Sequence, residues 1–262
     1  MTLILPVTSN EPRQLELLQT PSPSPHLTHL RCRLVNGRPP VVSGLYQESN
    51  RVPDVVRYVI DLTCDTPDGA SLSPPERGDA DLISHDRFSG DVRADQHRAK
   101  HERIVLILES PHKDEYTQDF TPIAPAQGST GRGIEAHIIP LLYRHQRLEL
   151  PPSKYELLIC NPVQFQASLY ELHRKELNDN EPAQQLRNTT WRTLYYGMNE
   201  RAHFLRRLDG YNVAAVIVAC TAALRQEVLS DVLRWPNGWV PIVEASHHPC
   251  TWQRNISRVT FA

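Results

Sequence analysis

The chain has 262 residues, 40% of them hydrophobic, with 28 Lys and Arg against 30 Asp and Glu and a formal net charge of −2. That size holds one large α/β domain or a core with a substantial extension, and no apolar run nears the roughly 18 residues of a membrane span. The near-neutral charge excludes a uniformly basic nucleic-acid binder. Locally, Pro182 to Ala262 carries nine Lys and Arg against five Asp and Glu, which suits either a phosphate backbone or an ordinary solvated surface. Five widely spaced cysteines without a C-x-x-C pair read as reduced thiols. The opening Met1 to Val7 lacks the basic and long apolar regions of a signal peptide. A cytoplasmic protein is expected.

In chain order, Pro21-Ser22-Pro23-Ser24-Pro25 is a stiff connector. Leu30, Cys32 and Leu34 alternate with Arg31 and Arg33 as in a strand, Asn36-Gly37 offers a turn, and 55–62 is a second apolar run. Residues 65–101 are rich in Asp, Pro, Ser, Gly and Arg without periodicity and read as a long surface loop. Residues 1–102 are therefore expected to be a β-rich N-terminal extension. From 103 to 262 strands alternate with helices. Strands are expected at 104–108, 155–160, 213–219 and 240–243. Helices are expected at 133–143 (bent at Pro140), 186–208 (weak at Gly197) and 222–233, where Leu224, Val228, Leu229, Val232 and Leu233 share a face. This predicts an α/β fold, a three-layer αβα core with a central, mainly parallel four-stranded sheet.

Three polar segments follow apolar runs: Leu108-Glu109-Ser110-Pro111-His112, Cys160-Asn161-Pro162, and Ser246-His247-His248-Pro249-Cys250-Thr251-Trp252. Ligands bind beyond the carboxyl ends of parallel strands, so these loops are expected to meet in one crevice. Glu109 is placed to orient water or balance positive charge. Asn161 offers a donor and an acceptor suited to a base edge. Phe165 is placed either to stack on a flat ligand or to fill the core. Gly128-Ser129-Thr130-Gly131-Arg132-Gly133 reads as a phosphate cradle or a flexible turn. It is not a Walker A loop, because Ile134 and Glu135 stand where Lys and Ser/Thr are needed. His247, His248 and Cys250 read as a pocket imidazole beside a projecting Trp252, with metal ligation or a cysteine nucleophile as other readings. A G-x-S-x-G serine elbow is missing from the sequence.

Taken in order, Leu108-Glu109-Ser110-Pro111-His112, Gly131-Arg132-Gly133, Asn161, residues 216–223 and His248-Pro249-Cys250 resemble the motifs of the uracil-DNA glycosylase superfamily. The resemblance spans residues 103–258 and is nearest the branch with a Glu in its first motif. The chain departs from that branch at Leu108 and His112, which replace glycine or tyrosine, and at Cys250, which replaces serine. Phe165 stands where the iron–sulfur branch has a cysteine, so no cluster, metal or cofactor is expected. The resemblance implies that Glu109, Asn161 and His248 are catalytic and that Ser110, Pro111, His112 and Phe165 form the base pocket. It also implies that Gly131, Arg132, Trp252 and Arg254 contact DNA, with Trp252 as the wedge behind a flipped nucleotide.

The implied activity is hydrolysis of the N-glycosidic bond of a flipped pyrimidine in DNA, by a monomer that does not use a membrane. The altered first motif favours a modified base. Some superfamily members remove glucosylated 5-hydroxymethylcytosine from phage DNA in bacterial defence. Uracil excision, a non-catalytic nucleic-acid-binding module and a metal-dependent hydrolase are the alternatives.

Overall fold

A computed structural model describes residues 2–5, 14–16, 31–34, 46, 48–75, 100–117, 121–168, 181–236 and 240–261. The Pro21 to Pro25 connector, the Asn36-Gly37 turn and most of the loop expected over 65–101 lie outside the described residues. In chain order the first strands are β1 (Thr2–Leu5), β2 (Gln14–Glu16), β3 (Arg31–Leu34), β4 (Val55–Asp61) and β5 (Ser71–Ser73). Then come β6 (Arg103–Ile107), α1 (Gly128–Arg144), β7 (Lys154–Cys160), α2 (Glu181–Arg192) and α3 (Glu200–Asp209). Last are β8 (Val213–Val218), α4 (Ala222–Arg234), β9 (Ile242–Glu244) and the short α5 (Trp252–Asn255).

The chain divides into two compact units that do not follow the expected boundary at 102/103. One comprises Met1–Val52, Ser110–Pro122 and Val163–Arg201; the other comprises Pro53–Glu109, Ile123–Pro162 and Ala202–Ala262. In the first unit, β3 lies between β1, to which it is parallel, and β2, to which it is antiparallel. The helix expected over 186–208 is broken. After α2, Thr193–Gly197 winds as a π turn, with the Met198 amide donating to the carbonyls of Thr193 and Leu194. Asn199, at φ 65°, then turns the chain into α3.

The second unit holds a six-stranded mixed sheet in the order β5-β4-β7-β6-β8-β9. Its four strands β7, β6, β8 and β9 are mutually parallel, as the alternation of strands and helices predicts. The sheet is nevertheless larger than the expected four strands. β4 pairs antiparallel with β7, and β5 antiparallel with β4. Residues 55–61 are thus part of this sheet rather than of a separate extension. The reason is physical: six of the seven β4 residues are buried, and such a strand needs covering on both faces.

β6 reads Arg-Ile-Val-Leu-Ile, buried throughout, and sits at the centre of the parallel set. Alternation sends Ile104 and Leu106 to one face with Leu157, Ile159, Ala215 and Ile217. α1 covers that face with Ile134, Ile138, Leu141 and Leu142, spaced as one helical stripe. α1 begins at Gly128, a turn and a half before the expected start, and runs through Pro140, which is exposed. In α4, Leu224, Val228 and Val232 are buried, but Leu233 is 60% exposed and lies outside the stripe assigned to it. Among the described residues no helix is long and apolar enough to cross a membrane.

Gly133 is where α1 meets the chain after β9. A Cβ added there would stand 2.1 Å from the Pro249 carbonyl oxygen, a backbone atom that cannot yield without moving its loop. Gly133→Ala is expected to cost about 1–3 kcal/mol by overpacking and to lower the melting temperature by about 2–4 °C per kcal/mol. Thermal unfolding followed by circular dichroism checks this; an unchanged midpoint refutes the contact.

Candidate active site at the carboxyl edge of the sheet

The parallel strands end at one level. Ile107 of β6 pairs with Cys160 of β7 and Val218 of β8, and Val218 pairs with Glu244 of β9. The ladder continues one residue further: the amides of Leu108, Ala219 and Ala245 donate to the carbonyls of Cys160, Ile107 and Val218 at 2.8–2.9 Å. Glu109, Asn161, Thr221 and the segment 246–250 therefore leave four adjacent strands along the same edge. Asn161 and Glu109 follow the neighbouring strands β7 and β6, about 4.8 Å apart, whereas His248 follows β9, with β8 and its Thr221 standing between it and Glu109. A separate cavity of about 350 Å³ lies at the other end of the sheet, lined by Arg144, His145, Pro241 and Phe261 among others.

Glu109 is 6% exposed. Its Oε2 accepts from the Thr221 amide at 3.3 Å and from the Thr221 hydroxyl. Thr221 is the N-cap residue of α4, so this carboxylate oxygen sits at the positive end of a 13-residue helix. Sequence reasoning missed Thr221. A threonine at a strand-to-helix turn is commonplace, and only the alignment of strand ends reveals its partner.

Asn161 is 1% exposed and its backbone is held at both ends. Its amide donates to Asp54 Oδ1 at 3.3 Å, and its carbonyl accepts from Arg207 Nη2 at 2.6 Å. Its side-chain Oδ1 is buried without a hydrogen-bond partner. Leaving a buried acceptor unpaired costs about 1–3 kcal/mol.

His248 caps the turn Pro249–Thr251 with its ring. Nδ1 accepts from the Cys250 amide at 3.3 Å and lies 3.1 Å from Cys250 Sγ. A main-chain N–H can only donate, so Nδ1 is the bare nitrogen and the neutral ring carries its proton on Nε2. His247 points elsewhere, its Nδ1 2.9 Å from Ser246 Oγ.

Trp252 is not a wedge. It is fully buried in the main core cluster, and its Nε1 donates to the His247 carbonyl at 2.8 Å. An indole used this way anchors the His248 loop from beneath and is not available to enter DNA. Arg254, two residues on, is exposed. Gly131 is buried, its Cβ position 2.2 Å from the Ala126 carbonyl oxygen, and Arg132 is partly exposed at the start of α1. The local basic excess shrinks on inspection. Arg207 and Arg225 are consumed by ion pairs with Asp54 and Glu244, at 2.8 and 2.7 Å.

The remaining expected pocket residues belong to the first unit. Ser110 is partly exposed and Pro111 buried; His112 Nδ1 accepts from the Asp114 amide at 3.3 Å. Phe165, expected against the base ring, is buried within its own unit, with the Arg51 guanidinium 4.6 Å from its centroid and Tyr46 edge-on at 5.5 Å. That packing fills the ring's surroundings. Among the described residues no group of three or more His, Cys, Asp or Glu is placed to hold a metal ion. No protein-family model, curated protein or solved structure matches this chain.

Burial, and then the Glu109 carboxylate, push the Cys250 thiol above its ordinary value, although the residue as a whole is exposed. The shift favours the thiol over the thiolate, with Sγ within hydrogen-bond reach of His248 Nδ1. Iodoacetamide at pH 7.5 is expected to label Cys250 several-fold more slowly than exposed Cys64, with the gap closing as pH rises. Mass spectrometry against Cys250→Ser reads both sites; equal rates at pH 7.5 would contradict the assignment.

Proposed function

We propose that this chain is a monofunctional DNA glycosylase of the uracil-DNA glycosylase kind, hydrolysing the N-glycosidic bond of a flipped, modified pyrimidine. The observation that carries the reading is that Glu109, Asn161 and His248 all follow parallel strands that end along the same edge of one sheet, with the Asn161 Oδ1 buried and unpaired. Asn161 accepts a hydrogen bond from the base edge. As the bond from C1′ to the base nitrogen lengthens, its electron pair passes to the base, and His248 Nε2–H donates to the base oxygen that gathers the charge. Glu109 faces the cationic sugar and orients the water that attacks C1′. Water's oxygen ends on C1′ as a hydroxyl that keeps one proton, the other proton ends on the nitrogen of the departed base, and an abasic site remains.

The substrate follows from two features. Leu108 and His112 alter the loop that shapes relatives' pockets, favouring a base other than plain uracil. Trp252, being core, supplies no intercalating ring, so the few kcal/mol of extrusion must be offset by pocket and phosphate contacts. Substrates whose stacking is already weakened suit such a site, a bulky base such as glucosylated 5-hydroxymethylcytosine among them. That substrate would give the enzyme a role in defence against phage DNA.

Duplexes containing uracil, a thymine mismatch, 5-hydroxymethylcytosine or its glucosylated form, scored for alkali-labile sites, test the reading. Asn161→Ala and His248→Ala are each expected to lower base release by roughly 10²–10³-fold while the fold is kept. Tight duplex binding without base release by the unmodified chain would favour a non-catalytic binding module. Cleavage confined to uracil would make it a repair enzyme.

A further inference from the structure

Asp54 lies immediately before β4, and its neighbour Val55 pairs with Ile159 of β7, which brings Asp54 to the end of β7. Its side chain is almost wholly buried. Oδ2 accepts from Arg207 Nε at 2.8 Å and from the Tyr211 hydroxyl at 2.7 Å, and it faces Cys160 Sγ at 3.3 Å. Oδ1 takes the Asn161 amide. Arg207, from α3, uses its second arm on the Asn161 carbonyl. The two peptides that flank the Asn161 Cα are thus each gripped, and the two grips are tied together by their own ion pair. Pro162 adds a third restraint, since a residue before proline is confined to extended backbone.

A strand end does not need this to be stable. Replacing a buried ion pair by apolar side chains of similar volume is often neutral or stabilising. The forked guanidinium and the carboxylate offer direction, because planar charge-assisted bonds fix angles that apolar packing leaves loose. Asp54 and Arg207 each bond the main chain of Asn161, immediately after β7, the residue whose side-chain oxygen is buried and unpaired. Burial by itself would lower Arg207, but the adjoining Asp54 carboxylate more than reverses this, so its charge persists across the accessible pH range.

Resting on the glycosylase reading, we propose that Asp54 and Arg207 are positioning residues that set the Asn161 side chain for the base edge. Neither touches substrate. Displacement of a reacting or reading group by about 1 Å costs on the order of 10²-fold in rate, and loss of the grip is expected to act through such a displacement.

The test uses the full chain carrying Asp54→Asn or Arg207→Lys. Asp54→Asn keeps shape but removes the charge of one grip; Arg207→Lys keeps charge but loses the fork to the Asn161 carbonyl. Single-turnover base release at saturating enzyme is expected to fall roughly 10–100-fold, with the duplex dissociation constant changed by less than about 3-fold. A second readout needs no activity: the Asn161 side-chain amide resonance in ¹⁵N-labelled protein, assigned by its loss in Asn161→Asp, is expected to shift or split in both variants. An unmoved resonance in a folded variant overturns the proposal, as does a rate loss that appears wholly in duplex affinity. If the unmodified chain releases no base from any duplex, the functional reading fails. The resonance alone then decides whether the pair positions Asn161. Should Asp54→Asn not fold, Arg207→Lys carries both measurements.

Discussion

Parallel pairing with a shared register is the constraint on which the site depends. A parallel ladder has evenly spaced, slanted bonds and tolerates no slip when both faces are buried, because a one-residue shift would exchange the faces of every side chain. β6, β7 and β8 are buried almost throughout, so their register is fixed by the core. The same fixing brings Leu108, Cys160, Ala219 and Ala245 to one level and obliges the next residues to leave together. Chemistry at the edge is thus positioned by hydrophobic packing below it.

The loops above the edge are then stiffened by unlike devices. Glu109 is tied to the first turn of α4 through Thr221. The His248 loop is pinned from below by Trp252, from the side by the close approach of Pro249 to Gly133, and internally by the Cys250 amide. Asn161 is held by charges. The three anchors draw on helix polarity, core packing and an ion pair respectively, holding Glu109 at the amide and hydroxyl of Thr221, the His248 loop at its main chain and Asn161 at its amide and carbonyl.

Much of this was legible in the sequence, because continuous apolar runs announce buried strands and the polar residues that follow them announce their ends. The four parallel strands, the α1 and α4 stripes and the placement of Glu109, Asn161 and His248 all follow from such local patterns. The antiparallel partner β4 did not, since a continuous apolar run says nothing of which neighbour it joins. Asp54 and Thr221 were illegible for a related reason: each is an ordinary polar residue beside a strand, and its meaning lies in a partner 112 or more residues away. Trp252 was misread because a tryptophan in a tight polar loop signals exposure as easily as anchoring. Only the packing of α5 against α1 separates the two.

Asn161 is where the rules that hold elsewhere in the sheet are broken together. Other buried polar atoms also lack a hydrogen-bond partner, His137 Nε2 in α1 and Gln166 Oε1 among them. At Asn161 a buried acid, a partly buried guanidinium and an unpaired amide oxygen coincide at a strand end. Natural sequences tolerate such conflicts where function requires them and relieve them elsewhere. Desolvating two charges costs several kcal/mol per ion before their attraction returns it, and that cost falls here on fixing the backbone of one residue on both sides of its Cα. Stability alone does not call for that arrangement, and the positioning role proposed for the pair would account for it.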